Sequence, residues 1–224
     1  MKKRSIVADS PEPAQSAAAP DAPARKPPLL GATFLIAAAQ PVQWPPLGPP
    51  EIAFAGRSNA GKSSAINALA RRNKLAFASR TPGRTQQIVF FSLPAGTLVA
   101  DLPGYGYAAV SRDVKREWQQ SLWDYVTTRP TLVGLVLVVD ARHGLKPLDC
   151  TLLDGFVPSS RPVLVLATKS DKLNVTERRA SVAAIRAALD ARYPNAGSVS
   201  VIAFSASTRA GVEDADLVLD AWLS

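Results

Sequence analysis

The chain has 224 residues and a net charge of +8, with 47% hydrophobic side chains, enough for one domain with a substantial core and some unstructured excess. A single cysteine, Cys150, excludes an internal disulfide framework, and a single histidine, His143, excludes a histidine metal cluster. No run reaches the roughly 18–20 apolar residues that cross a bilayer, so no membrane association is expected.

Residues 1–30 read as a disordered tail rich in Pro and Ala, ahead of a domain over 31–224. Met1-Lys2-Lys3-Arg4 begins like a signal peptide, but the following twenty residues have no apolar core, so a cytoplasmic protein is expected. Residues 1–28 hold five basic and three acidic side chains, which leaves +6 of the charge on the folded part. A basic nucleotide-binding domain is suited to a polyanionic partner such as RNA, although solvated surface charge is the plainer alternative. Residues 33–39 read as a short strand or helix packed on the domain. Pro41, Pro45, Pro46, Pro49 and Pro50 then keep the chain extended.

A short apolar strand at 52–55 leads into Gly56, Arg57, Ser58, Asn59, Ala60, Gly61, Lys62, Ser63 and Ser64, which fits the phosphate-loop pattern G-x-x-x-x-G-K-[ST]. Gly56 and Gly61 let the backbone turn sharply and approach a ligand. The loop N–H groups and the positive end of the following helix make a concave anion site. Lys62 places a point charge at the β- and γ-phosphates, and the Ser63 hydroxyl is a hard oxygen for Mg2+. Residues 62–71 put Ile66, Leu69 and Ala70 on one helical face, so the motif has the strand and helix it requires.

Residues 71–86 are polar, basic and poorly patterned, and read as a mobile functional loop. Strands at 87–93 and 97–100 flank Pro94-Ala95-Gly96, a hairpin signal. Asp101, Leu102, Pro103 and Gly104 then give D-x-x-G, in which Asp101 can hold Mg2+ through water and the Gly104 N–H can meet a γ-phosphate. A helix follows at 111–127, a doubly covered strand at 132–139, a short helix at 149–157 carrying Cys150 as a small buried hydrophobe, and a strand at 162–167. Asn174 and Glu177 form a capping box for a helix over 176–192, and a strand at 199–204 and a helix at 212–223 close the chain. This alternation predicts an α/β fold, a mostly parallel six-stranded sheet with helices on both faces and ligands at the carboxyl ends of its strands.

Two further motifs fall at that end. In Thr168, Lys169, Ser170 and Asp171, the Asp171 carboxylate can accept from guanine N1–H and N2–H₂, while the Lys169 stem lies along the base. Adenine lacks that donor pair and would leave a buried carboxylate unpaired. Backbone N–H groups of Ser205, Ala206 and Ser207 can meet guanine O6.

These motifs in this order, with Thr81-Pro82-Gly83-Arg84-Thr85-Gln86, the run Asp101–Ala108 and Val139-Asp140-Ala141-Arg142-His143, resemble the EngB (YihA/YsxC) ribosome-biogenesis GTPases, of the TrmE-Era-EngA-YihA-Septin-like group. The resemblance runs from about Thr33 to the C-terminus, and Thr168 in place of the commoner Asn is that family's own variant. It implies a P-loop NTPase fold of the Ras-like G-domain type that binds GTP and GDP and hydrolyses GTP slowly, with Mg2+ as cofactor and K+ as a second candidate. It also implies a monomer that acts on the large ribosomal subunit, its rRNA and proteins, and is needed for septation.

By the same resemblance Lys62, Thr85 and Gly104 serve catalysis, Ser63, Thr85 and Asp101 the metal, and Gly83, Arg84 and Phe204 complete the nucleotide site. Thr81 stays open as a rival to Thr85. Tyr105 stands where related GTPases keep a water-orienting Gln, which implies slow hydrolysis. Asn59 matches a loop Asn that helps hold K+. Arg71, Arg72, Lys74, Arg80 and Arg84, with Arg112, Lys115 and Arg116, are candidate RNA contacts. The alternative is an ATP-dependent P-loop enzyme such as a small-molecule kinase.

Overall fold

The structure, a computed structural model, describes residues 26–76, 87–106, 112–194, 196 and 198–224, with 112–119 described by backbone alone. Strands form where the chain is apolar on both faces, and helices where one stripe is. In chain order they are β1 (Thr33–Ala38), β2 (Glu51–Gly56), α1 (Lys62–Leu69), β3 (Ile88–Ser92), β4 (Leu98–Asp101), α2 (Arg112–Thr128) and β5 (Leu132–Asp140). Then come α3 (Pro147–Phe156), β6 (Val163–Thr168), α4 (Val175–Arg192), β7 (Val199–Ala203) and α5 (Val212–Leu223).

The sheet order is β1-β3-β4-β2-β5-β6-β7. β4, β2, β5, β6 and β7 run parallel, whereas β3 is antiparallel to β4 and to β1. The sheet therefore has seven strands where six were expected. The seventh is β1, which covers the outer edge of the β3–β4 hairpin. Its side chains are exposed from Thr33 to Ile36, and its register slips between Phe34 and Ile36, so it shows no period-two pattern in sequence.

Alternate side chains of the parallel strands feed two cores. On one face Ala53, Leu135, Leu137, Val165 and Ala167 pack with Tyr125 of α2, Phe156 of α3 and Ile185 of α4. On the other, Phe54, Val136, Val138, Leu164 and Leu166 pack with Ile66 of α1 and Leu219 of α5. Leu29, in the stretch expected to be tail, is fully buried in this second core. Cys150 is half-buried on α3.

Asn174 accepts from the Glu177 N–H at 2.9 Å and Glu177 accepts from the Asn174 N–H at 2.9 Å, the expected capping box that starts α4. Away from the strand carboxyl ends, at the start of β2, Glu51 is fully buried. It accepts from Arg129 Nε at 2.9 Å, Thr131 Oγ1 at 2.7 Å and Tyr125 OH. No helix among the described residues is long and apolar enough to cross a membrane.

Candidate functional site

The phosphate loop sits between the end of β2 and the start of α1. Any Cβ on Gly56 would lie 2.6 Å from the Val138 carbonyl of β5, so only glycine lets β2 and β5 close here. Asn59 and Gly61 take left-handed conformations, φ 64° and 98°. They fold the loop over so that α1 begins at Lys62 with the free N–H groups of its first turn, an arrangement that suits an anion. Lys62 forms an ion pair with Asp101 at the end of β4, the two side chains 11% and 10% exposed. Ser63 is half-buried and Ser64 exposed.

Asp101–Tyr105 lies along the loop. Leu102 N donates to Phe54 O at 2.9 Å, Ser58 N to Tyr105 O at 2.9 Å, and Ser58 Oγ to Gly104 O at 3.3 Å. Tyr105, read from sequence as standing in the position of a water-orienting group, is 3% exposed and points into the core. Its hydroxyl donates to Asp149 Oδ1 of α3 at 2.6 Å, which keeps it from orienting water in this conformation. Burial, and then the Asp149 carboxylate, push the phenol well above its ordinary pKa. Burial also raises Asp149, against the hydrogen bonds from Tyr105 and the Lys146 N–H. Sequence reasoning took Asp149 only as the start of a helix and missed this contact. Its one signal is position, three residues after the helix-capping Lys146, whose N–H donates to Asp149 Oδ2 at 2.8 Å.

At the other end, β6 ties the phosphate loop to the base-reading segment. The buried Thr168 hydroxyl lies 2.5 Å from Ala60 O and 3.0 Å from Val139 O. Lys169, with φ 56°, extends its ammonium to Asn59 O at 2.6 Å and to Asp140 Oδ2 at 2.9 Å. Burial raises the Asp140 carboxyl, but hydrogen bonds from Arg142 and Lys169 outweigh it and hold the group well below the usual carboxylate range. Asp171 accepts from Ser205 Oγ at 2.7 Å, and that bond leads in lowering its pKa. Ser205 is buried and its own N–H donates to Ala210 O at 3.0 Å, so the backbone donation expected of three residues falls to Ala206 and Ser207. Ser170 N donates to Phe204 O at 3.1 Å, and Phe204 is a core residue rather than an open surface of the site. A cleft of about 240 Å³ beside the loop is lined by Arg57, Asn59, Asp140, Lys146 and Lys169 among others.

Thr81, Gly83, Arg84 and Thr85 lie outside the described residues, as do Arg80 and the side chains of Arg112, Lys115 and Arg116. Two other RNA candidates make contacts within the fold, Arg72 while remaining exposed. Arg71 pairs with Asp216 of α5 at 2.5 Å, and Arg72 donates to Ala32 O at 3.1 Å. Lys74 is exposed. Among the described residues no three His, Cys, Asp or Glu side chains gather into a metal cluster. A serine hydroxyl and one carboxylate, Ser63 and Asp101, fit Mg2+, which takes few protein oxygens and completes its shell with phosphate and water.

The family model described as "50S ribosome-binding GTPase" matches residues 51–169, from β2 to Lys169. The chain is 52% identical over 192 residues to the probable GTP-binding protein EngB of Azoarcus sp. (strain BH72), covering 86% of this chain and 91% of that one. It is 48% identical over 199 residues to its counterpart in Thiobacillus denitrificans (strain ATCC 25259 / T1), covering 89% and 94%. The chain belongs to the EngB family of GTP-binding proteins. EngB membership makes it a GTP-binding P-loop protein and sets aside the ATP-dependent alternative. The crystal structure of a probable GTP-binding protein engB superposes with a TM-score of 0.57 at 21% identity, over 77% of this chain and 98% of that one. Era in complex with MgGDPNP and nucleotides 1506–1542 of 16S ribosomal RNA gives 0.57 at 22%, over 78% and 57%. At these identities the two structures speak for the P-loop G-domain fold alone.

Proposed function

We propose that this EngB-family protein is a slow GTPase that acts as a switch in assembly of the large ribosomal subunit and is needed for normal cell division. One observation carries the switch reading: Thr168 and Lys169 both hold the phosphate loop, at Ala60 and Asn59, while Asp171 next to them is held by Ser205. Base recognition and phosphate recognition thus share one hydrogen-bonded unit. Asp171 accepts from guanine N1–H and N2–H₂, the Lys169 stem lies along the ring, and the Ala206 and Ser207 N–H groups face O6. The N–H groups of Asn59 and of Gly61 to Ser64 cradle the phosphates and Lys62, released from Asp101, pairs with their charge.

Ser63, Asp101 and Thr85 would hold Mg2+, which would offset charge on the β- and γ-phosphates. The Gly104 N–H meets the γ-phosphate. Tyr105 offers the attacking water no amide, so turnover is slow without an added positive charge. Asn59 would help hold a K+ that supplies such a charge, and stimulation would come from K+ or from docking on the ribosome.

The ribosomal part is supported by the family description over residues 51–169 and by the net charge of +8. With Arg71 paired to Asp216, RNA contact falls to Arg72, Lys74, Arg80 and Arg84 and to Arg112, Lys115 and Arg116. The protein works as a cytoplasmic monomer. Co-sedimentation tests this reading: protein loaded with a non-hydrolysable GTP analogue should pellet with large subunits, the GDP form should not, and rising salt should release it. Equal pelleting in both nucleotide states, or binding indifferent to salt, would overturn the proposal.

A further inference from the structure

Tyr105 and Asp149 meet at a point that the reading above leaves unused. Both are buried, at 3% and 1% exposure, and the Tyr105 hydroxyl donates to Asp149 Oδ1 at 2.6 Å. The second oxygen of Asp149 accepts from the Lys146 N–H at 2.8 Å, which anchors the carboxylate to the first turn of α3. The backbone beside Tyr105 is gripped from the opposite side. Ser58 N donates to the Tyr105 carbonyl at 2.9 Å, and Ser58 Oγ to the Gly104 carbonyl at 3.3 Å. Arg57 borders the same cluster: its Nε lies 3.1 Å from where a Cβ on Gly106 would sit, and its charge acts on both Tyr105 and Asp149.

Burial works against a carboxylate here, and an apolar pair would fill the same volume without that cost. Packing would fix the space occupied by residue 105. A hydrogen bond fixes its direction as well, and with Leu102 N held by Phe54 O at 2.9 Å it ties down both ends of the span Pro103–Gly104, whose shared peptide carries the Gly104 N–H.

We propose that Tyr105 and Asp149 are positioning residues that aim the Gly104 N–H at the γ-phosphate of a bound nucleoside triphosphate. The inference rests on the reading of Gly104 as the γ-phosphate contact. A diphosphate lacks that group, so the pair contributes to triphosphate binding alone. Titration of the full chain with fluorescent GDP and a fluorescent non-hydrolysable GTP analogue tests this, using Tyr105→Phe, Asp149→Asn, Asp149→Leu and Gly104→Pro.

Tyr105→Phe and Asp149→Leu should each weaken the analogue about tenfold and leave GDP unchanged, and combining them should add nothing further. Asp149→Asn, whose amide oxygen can accept from the Lys146 N–H while its NH₂ donates to the phenol oxygen, keeps the pair tied and should stay near the parent. A general loss of stability would instead lower both affinities together, which would overturn the proposal. Gly104→Pro, which removes that N–H, separates the two layers. If it keeps the triphosphate preference, the γ-phosphate reading fails and the positioning role with it. If it loses that preference while Tyr105→Phe and Asp149→Leu keep it, the positioning role alone is refuted.

Discussion

Replacing Asp171 by Asn tests the base assignment with little disturbance to the fold. Asp171 is 16% exposed in its side chain and accepts from Ser205 Oγ at 2.7 Å, a bond that the Asn amide oxygen can keep. What changes is the face turned to the base. A carboxylate accepts from both guanine donors, whereas an amide accepts one and sets its own NH₂ against the other. Each hydrogen bond to a charged group contributes about 1.5–3 kcal/mol, and an unsatisfied donor costs about 1–3 kcal/mol more. Water reaches the partly exposed side chain and reduces the sum to about 3 kcal/mol, or roughly 100-fold in affinity.

GDP binding to Asp171→Asn, followed by isothermal titration, should therefore weaken about 100-fold. Xanthine nucleotides, which carry a carbonyl at C2, should gain what guanine loses. The thermal midpoint should stay within a few degrees of the parent. GDP affinity within about threefold of the parent, with no gain for xanthine, would refute the placement of the guanine edge at Asp171.

At the start of β2, Arg129→Ala leaves the fully buried Glu51 carboxylate without its ion-pair partner and should cost about 3–5 kcal/mol in urea unfolding. A loss under about 1 kcal/mol would show that water or Tyr125 already neutralises the site. Asp140 is held below the usual carboxylate range, so its stabilisation is complete above the unfolded pKa of about 4 and is lost as pH falls through the folded value. The urea midpoint of Asp140→Asn should trail the parent at neutral pH and converge with it in acid; a gap independent of pH would contradict that sign. GTP turnover should fall when K+ is replaced by Na+ and lose this sensitivity in Asn59→Ala. Equal rates in the two salts would remove the ion from the mechanism.

The phosphate loop was legible because glycine spacing, a lysine and a serine are local requirements of backbone geometry, and Gly56 and Gly61 stand where a close approach and a positive φ demand them. The capping box at Asn174 was legible for the same reason, since its partners are three residues apart. β1 was legible only as a strand or a helix, because an edge strand exposed at four of its six positions leaves no alternating pattern to decide between them. Arg71 looked like free surface charge until α5 brought Asp216 to it from 145 residues away. The inward turn of Tyr105 and the grip of Thr168 on Ala60 join residues 44 and 108 apart.

From the residues alone came the order of motifs along the chain, the α/β alternation and the guanine-nucleotide chemistry, because each depends on neighbours within a few positions. Only the tertiary structure decided which charges are spent inside the fold, that a seventh strand closes the hairpin edge, and that Ser205 serves Asp171 through its side chain. Those outcomes depend on which distant groups share a buried space, and burial is what makes an unpaired polar group costly enough to choose its partner.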